Sequence, residues 1–485
     1  MTVERVEVLV IGAGFGGLGM AIRLVESGQR DFVVVEQEAG VGGTWRANDY
    51  PGAACDIESH LYSYSFAPNP DWSRKYAPQA EILAYLEGCV ARWGLAPHLR
   101  LGTAVTRAVY DAAAGRWRVD MSDGRVISAR AVVAACGGLS RPSVPDLPGL
   151  ADFGGRTFHS ARWDHAYPLD GAAVAVVGTG ASAIQIVPAI APRVARLDVY
   201  QRTPPWIMAK ADRPIPPDER ERLRRAPWRQ QLERAAQFWR HEVLTMAFAT
   251  RAPLLALAER QARRFLAESV ADPALRRRLE PDYAMGCKRI LVTNDWYPAL
   301  QRDNVELVTD PIERVLPGGI RTRDGRERAA QAIVLATGFH AAEALAPFEV
   351  RGRDGLDLSA VWSAGAEAYL GTVVAGFPNF FLIVGPNTGL GSSSMILMIE
   401  SQIALILSAL RLLRERRLAS LEVRADVQQR FNADVQARLA KTVWASGCKS
   451  WYLTKSGKNT ALWPSFTLAF RRRTRAVDPR DYVLR

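Results

Sequence analysis

Two glycine-rich turns, each set between an apolar strand and a helix, constrain this chain more than any other feature. The first follows the valine-rich run Val6 to Ile11 and reads Gly12-Ala-Gly14-Phe-Gly-Gly17. The second follows Val174 to Val177 and reads Gly178-Thr-Gly180-Ala-Ser-Ala183. A continuous apolar run of this kind is expected of a strand buried on both faces of a parallel sheet. Glycines in the turn let backbone N–H groups approach a pyrophosphate seated on the helix N-terminus. A bare Gly-x-Gly-x-x-Gly is weak support, but here more of the unit is present. An Ala/Leu/Val-rich helix follows, then a second strand, Phe32 to Val35, then Glu36. That acid stands about twenty residues past the turn, where a carboxylate accepts hydrogen bonds from an adenosine ribose. Two such units imply two nucleotides. The fold class expected is α/β, with two Rossmann-like dinucleotide-binding domains.

The second unit differs at one informative place. Its strand Leu197 to Tyr200 runs into Gln201-Arg202-Thr203, so an arginine stands where the first unit has its acid. A carboxylate there would repel a 2′-phosphate, whereas an arginine pairs with it through bidentate hydrogen bonds. The first site therefore reads as an FAD site and the second as an NADPH site. The plainer alternative for Arg202 is a solvated surface charge.

The rest of the chain falls around these units. The run Arg141-Pro-Ser-Val-Pro-Asp-Leu-Pro-Gly149 follows the strand Ala131 to Ala135 and marks a connector leaving the first domain. The stretch Phe153 to Trp163 reads as the join between the two modules, and Ala332 to Ala336, with Thr337-Gly338, as the return crossing. Pro216 to Glu280 is arginine-rich with apolar residues at helical spacing, a helical insert. The expected division is residues 1–145 and 341–485 for the FAD domain, 146–215 and 283–340 for the NADPH domain, and 216–282 for the insert.

Composition excludes several other classes. The net charge of +12 in 485 residues comes from arginines spread along the chain rather than a basic stripe with aromatics, which argues against nucleic acid. Cys55, Cys89, Cys136, Cys287 and Cys448 form no close pair, so neither a disulfide framework nor a redox dithiol is expected, and a reducing cytoplasm fits. The six histidines are isolated, so no metal site is expected. Met395 to Leu413 is the longest apolar stretch, but Glu400, Ser401 and Gln402 interrupt it, and it reads as a core helix rather than a membrane span.

Two further motifs flank the nucleotide turns. Phe153, Gly155, His159, Trp163 and Asp164 match Phe-x-Gly-x-x-x-His-x-x-x-Trp-Pro/Asp. Gly42, Gly43, Trp45, Tyr50, Pro51, Gly52 and Asp56 match small-Gly-x-Trp-x4-aromatic-Pro-Gly-x3-Asp. With these the chain resembles the type I Baeyer–Villiger monooxygenases over nearly its whole length. The resemblance implies an FAD enzyme that takes hydride from NADPH, activates O2 as a flavin C4a-peroxide and inserts oxygen beside a ketone carbonyl, with sulfides as further substrates.

By the same resemblance Arg289 is the active-site cation and Asp56 its orienting acid, near the flavin. Gly12, Gly14, Gly17, Glu36, Thr44, Trp45, Asp56 and Tyr62 are implied at FAD. Gly178, Gly180, Ser182, Gln185, Arg202, Thr203, Lys288 and Trp451 are implied at NADPH, Trp451 on a loop that closes over it. His159 is implied in a conformational role. The turn Gly385 to Gly391 resembles one beside the flavin ring, but Ser392 and Ser393 stand where His and Asn often follow. The alternatives are an N- or S-oxygenating flavin monooxygenase or hydroxylase and a flavin reductase, the latter disfavoured by the missing dithiol. A monomer or homodimer in the cytoplasm is the expected setting.

Overall fold

The valine-rich run becomes the centre of an eight-stranded sheet. Val3–Ile11 is flanked in parallel by Phe32–Val35 and by Val126–Ala134, with Ile11 level with both Val35 and Ala134. Across the sheet the order is Glu349–Arg351, Val105–Asp111, Arg116–Met121, Val126–Ala134, Val3–Ile11, Phe32–Val35 and Leu99–Arg100. Phe380–Leu382 pairs with the end of Val126–Ala134. Alternate side chains serve opposite faces, as a strand's period of two requires. Val8, Val10 and Val34 join a core with the helix Phe15–Glu26, while Leu9, Ile11 and Val33 pack with Trp117 and Phe380. The computed structural model describes residues 3–250, 253–340, 346–447, 450–454 and 456–485.

A second, all-parallel sheet holds Val305–Val308, Arg196–Tyr200, Ala173–Val177, Ala332–Leu335 and Arg156–His159 in that order. The Phe153-to-Trp163 stretch is therefore more than a join. Its middle is the edge strand of the second sheet, paired with Ala332–Leu335, and the His159 ring nitrogen lies 3.1 Å from the Gly338 carbonyl at the return crossing.

The insert forms the helices Pro217–Arg225, Pro227–Thr250, Pro253–Ser269 and Pro273–Leu279. Each opens on proline, whose fixed φ and missing N–H suit the first helical position. Met395–Glu415 is long and apolar enough, by length and composition, to cross a membrane, yet much of it is buried against Phe15–Glu26 and Thr467–Arg473. Its polar interruption has a use: buried Gln402 accepts from the Val384 N–H at 2.9 Å and donates to the Gly371 carbonyl at 2.8 Å. Cys55, Cys89 and Cys136 are free and Cys287 is disulfide-bonded, which the scattered spacing did not signal, while Cys448 lies outside the described residues. Spacing along a chain does not report which distant thiols the fold brings together.

Candidate active site

Both glycine turns reach back to the end of a neighbouring strand. Gly12 has φ +101°, and a Cβ there would lie 2.6 Å from the Ala135 carbonyl oxygen. Gly178 repeats this with φ +113° and 2.4 Å to the Ala336 oxygen. A side chain would force either turn away from its sheet. At the third glycine of the first turn the packing is tighter still, since a Cβ on Gly17 would lie 1.8 Å from the Gly12 oxygen. Gly14 faces Gly43, and the Gly42 N–H donates to the Ala13 carbonyl at 2.9 Å, so the Gly42–Trp45 motif sits directly on the first turn.

Glu36 is buried beside that turn. One carboxylate oxygen accepts from the Ala13 N–H at 2.7 Å and the other from the Glu38 N–H at 3.0 Å. Lone pairs remain for a ribose hydroxyl. Thr44 opens the short helix Thr44–Ala47. The Trp45 indole donates to the Tyr62 hydroxyl at 3.1 Å, and Tyr62 meets Phe15 edge-on. These aromatics form a wall leading from the turn toward Asp56.

Gln185, in the helix Ala183–Ile190, joins the two modules. Its amide donates to the Ala54 carbonyl at 3.0 Å and accepts from the Ala54 N–H at 3.3 Å and the Tyr50 hydroxyl at 3.2 Å. Sequence resemblance implied a cofactor contact for Gln185; its side chain is occupied in clamping the loop that carries Asp56. Gly180 has open space where a Cβ would stand, and Ser182 is half-buried in the same turn.

Asp56 and Arg289 meet just beyond this clamp. The Arg289 Nε donates to Asp56 Oδ2 at 3.0 Å and one terminal nitrogen donates to the same oxygen. Burial works against the Asp56 carboxylate, but the charge and hydrogen bonds of Arg289 outweigh it and hold the group below the usual aspartate range. The Asp56 charge in turn raises Arg289, so the guanidinium is a permanent cation. The buried Tyr452 hydroxyl faces the pair, and burial pushes it up to about 12. Burial also lowers Lys210, which faces Asp56 as well.

A second cationic group lies where the second strand ends. The Thr179 hydroxyl donates to the Thr203 carbonyl at 3.2 Å, tying Arg202-Thr203 to the second turn. Lys288 lies over the Tyr283 ring at 4.5 Å, and burial together with the charge of Arg202 lowers it. Among the described residues neither Arg202 nor Lys288 makes an ion pair. Two like charges at the mouth of a nucleotide turn, with only the more distant charge of Asp282 acting against them at Lys288, suit an anion. Trp451, by contrast, is 55 % exposed and touches Tyr452 rather than any of these residues.

The turn from Val384 to Ser394 completes the site. Val384 has φ +61° and Asn387 φ +56°; a β-branched residue in that region is strained and persists because Gln402 holds it. Asn387 donates to the Asn459 and Leu462 carbonyls. Its carbonyl oxygen and the Ser393 hydroxyl are buried without a partner among the described residues.

Sequence reasoning missed the contact between this turn and the insert. The His241 ring bonds Glu58 at 2.9 Å and the Ser392 carbonyl, and the Thr245 hydroxyl lies 3.1 Å from that of Ser392. Glu58 also accepts from Tyr76 at 3.2 Å and pairs with Arg240. Burial opposes its charge, but His241 and Arg240 hold it down at about 2. Glu58 stands two residues past a recognised motif; His241 carried no signal beyond its place in the insert.

Several known proteins are similar to this chain over most of its length. A pyridine nucleotide-disulphide oxidoreductase family model matches residues 9–243. A Baeyer-Villiger monooxygenase of Pseudomonas aeruginosa is 50 % identical over 99 % of this chain and 91 % of its own. One from Streptomyces coelicolor is 48 % identical over 99 % and 93 %. Among solved structures, cyclohexanone monooxygenase from Rhodococcus sp. Phi1 bound to NADP+ covers 100 % of both chains with TM-score 0.90 and 31 % identity. Oxidized steroid monooxygenase bound to NADP covers 99 % of both with TM-score 0.89 and 32 % identity.

Proposed function

The chain belongs to the Baeyer–Villiger monooxygenases, and from that premise we propose how its own residues run an FAD- and NADPH-dependent oxygenation. The site fits both cofactors. The Gly12–Gly17 turn with buried Glu36 is a cradle that side chains would fill, and Arg202 with Lys288 offers paired positive charge that makes no ion pair among the described residues. Gly12, Gly14 and Gly17 would hold the FAD pyrophosphate, Glu36 its ribose, and Thr44, Trp45 and Tyr62 the approach to the ring. Gly178, Gly180 and Ser182 would hold the NADPH pyrophosphate, and Arg202, Thr203 and Lys288 its 2′-phosphate, with Gln185 fixing the adjoining loop.

Bound FAD, reduced by NADPH, supplies the activation of O2. The protein's part is position and charge. Arg289 presents a permanent cation where negative charge develops on oxygen next to a ketone carbonyl, and preorganised charge in a shielded site acts at full strength. Asp56 keeps the guanidinium aimed without removing its charge. Asn387 Oδ1 and Ser393 Oγ, buried without a partner among the described residues, would be available to a bound cofactor or substrate. Trp451 would have to swing inward to cover the nicotinamide. The observation that carries this reading is the Asp56–Arg289 pair, placed beside the Gln185 clamp where the two nucleotide modules meet.

The substrate we propose is a small ketone, converted to an ester or lactone, with sulfides accepted in addition, in a cytoplasmic setting. Residues 1–145 with 341–485 would form the FAD domain, 146–215 with 283–340 the NADPH domain. The test is product analysis of a ketone panel, an amine and a sulfide, using FAD-loaded protein, NADPH and isotopically labelled O2. Labelled esters from ketones support the reading. Oxygenated amine or sulfide with no ester from any ketone would replace it with N- or S-oxygenation.

A further inference from the structure

The insert helix Pro227–Thr250 buries Phe248 and Ala247 but also turns a set of polar side chains inward and an apolar stripe outward. Its inward face buries Gln230, His241, Glu242 and Thr245, at 9 % exposure or less. These bond to His60, Glu58 and Ser392, and Glu242 accepts from the Thr467 and Leu468 N–H groups. Its outward face carries Trp228, Leu232, Trp239 and Val243, each between 50 and 61 % exposed. At 100° per residue these four lie within an arc of about 60°. An ordinary surface helix has the opposite arrangement, so burial in this chain's own core does not explain these side chains.

We propose that this face is the contact with a second copy of the chain, the two helices packing antiparallel about a two-fold axis. The spacing is self-complementary. With the axis at the Ala235–Ala236 peptide, Trp239 of one copy stands opposite Leu232 of the other, and Trp228 opposite Val243. Every indole meets an aliphatic side chain, and the small exposed Ala235 and Ala236 at the crossing let the backbones approach. Leu254 and Leu257, 45 and 62 % exposed on the helix packed alongside, extend the patch. The apolar area left to solvent is on the order of 600 Å² per copy, so a pair would bury about 1,200 Å², the lower end of stable interfaces. The partner would thereby press the helix's polar face onto Glu58 and Ser392.

The test is the mass of full-length, FAD-loaded protein by light scattering and sedimentation. Wild type should be a dimer. Leu232→Lys and Trp239→Glu should each give monomers with flavin retained, and mixing the two variants should restore dimers, because residues 232 and 239 face each other. Ala235→Cys should cross-link to its own copy on oxidation. A monomeric wild type, dimers that survive both substitutions, or a mixture that stays monomeric would overturn the proposal. So would a monomer that floats with phosphatidylglycerol vesicles and loses this on Trp239→Glu, which would assign the face to a lipid surface.

Discussion

Arg202 and Lys288 show what one residue type at one place can decide. Among the described residues neither side chain makes an ion pair, and a charge-assisted contact to phosphate contributes about 1.5–3 kcal/mol. Arg202→Ala should therefore cut the preference for NADPH over NADH by roughly ten- to a hundredfold; steady-state kinetics with each nucleotide checks this. His60 makes a pH prediction. Burial lowers it from 6.5 to about 4, with Gln230 3.1 Å from one ring nitrogen and the Glu233 carboxylate 3.4 Å from the other. The folded form binds this proton less tightly than the unfolded one, so stability is whole above pH 6.5 and falls toward pH 4. The loss is about 3 kcal/mol. Thermal melts should decline over that window, and His60→Gln should flatten the decline. Asp56 is depressed instead, so its contribution is present above 3.8 and lost only as pH falls below that.

At the scale of elements, the Gln185 clamp connects the helix after the second glycine turn to the loop that carries Asp56. Gln185→Ala would leave the Ala54 N–H and carbonyl and the Tyr50 hydroxyl short of partners, costing about 1–3 kcal/mol for each group that stays dry. The expected outcome is a lower melting temperature and a raised KM for NADPH, with NADP binding by calorimetry as the check. Strand, glycine turn, helix and terminal residue were legible because each unit is local. Arg156–His159 was not legible as a strand, since Arg-Thr-Phe-His carries no apolar run and its partner Ala332–Leu335 lies far along the chain. Gln402 looked like an interruption of an apolar helix, and only the fold shows that it holds the strained Val384.

For the whole molecule, the two sheets and the insert follow from patterns that single stretches carry. What joins them does not. The His241 contact to Glu58 and Ser392 and the exposed stripe of the insert helix depend on which distant segments meet. Periodicity alone would have turned Trp228, Leu232, Trp239 and Val243 inward. The polar face is turned inward because buried Glu58 takes His241 and reaches Arg240 at the solvent edge.

The central claim is that Arg289, aimed by Asp56, serves oxygen transfer and not hydride transfer. Arg289→Ala, loaded with FAD, should be reduced by NADPH without air at a rate within a few-fold of wild type. On admitting O2 and ketone, its single-turnover ester yield should fall at least a hundredfold. Ester formed at the wild-type yield would contradict the account.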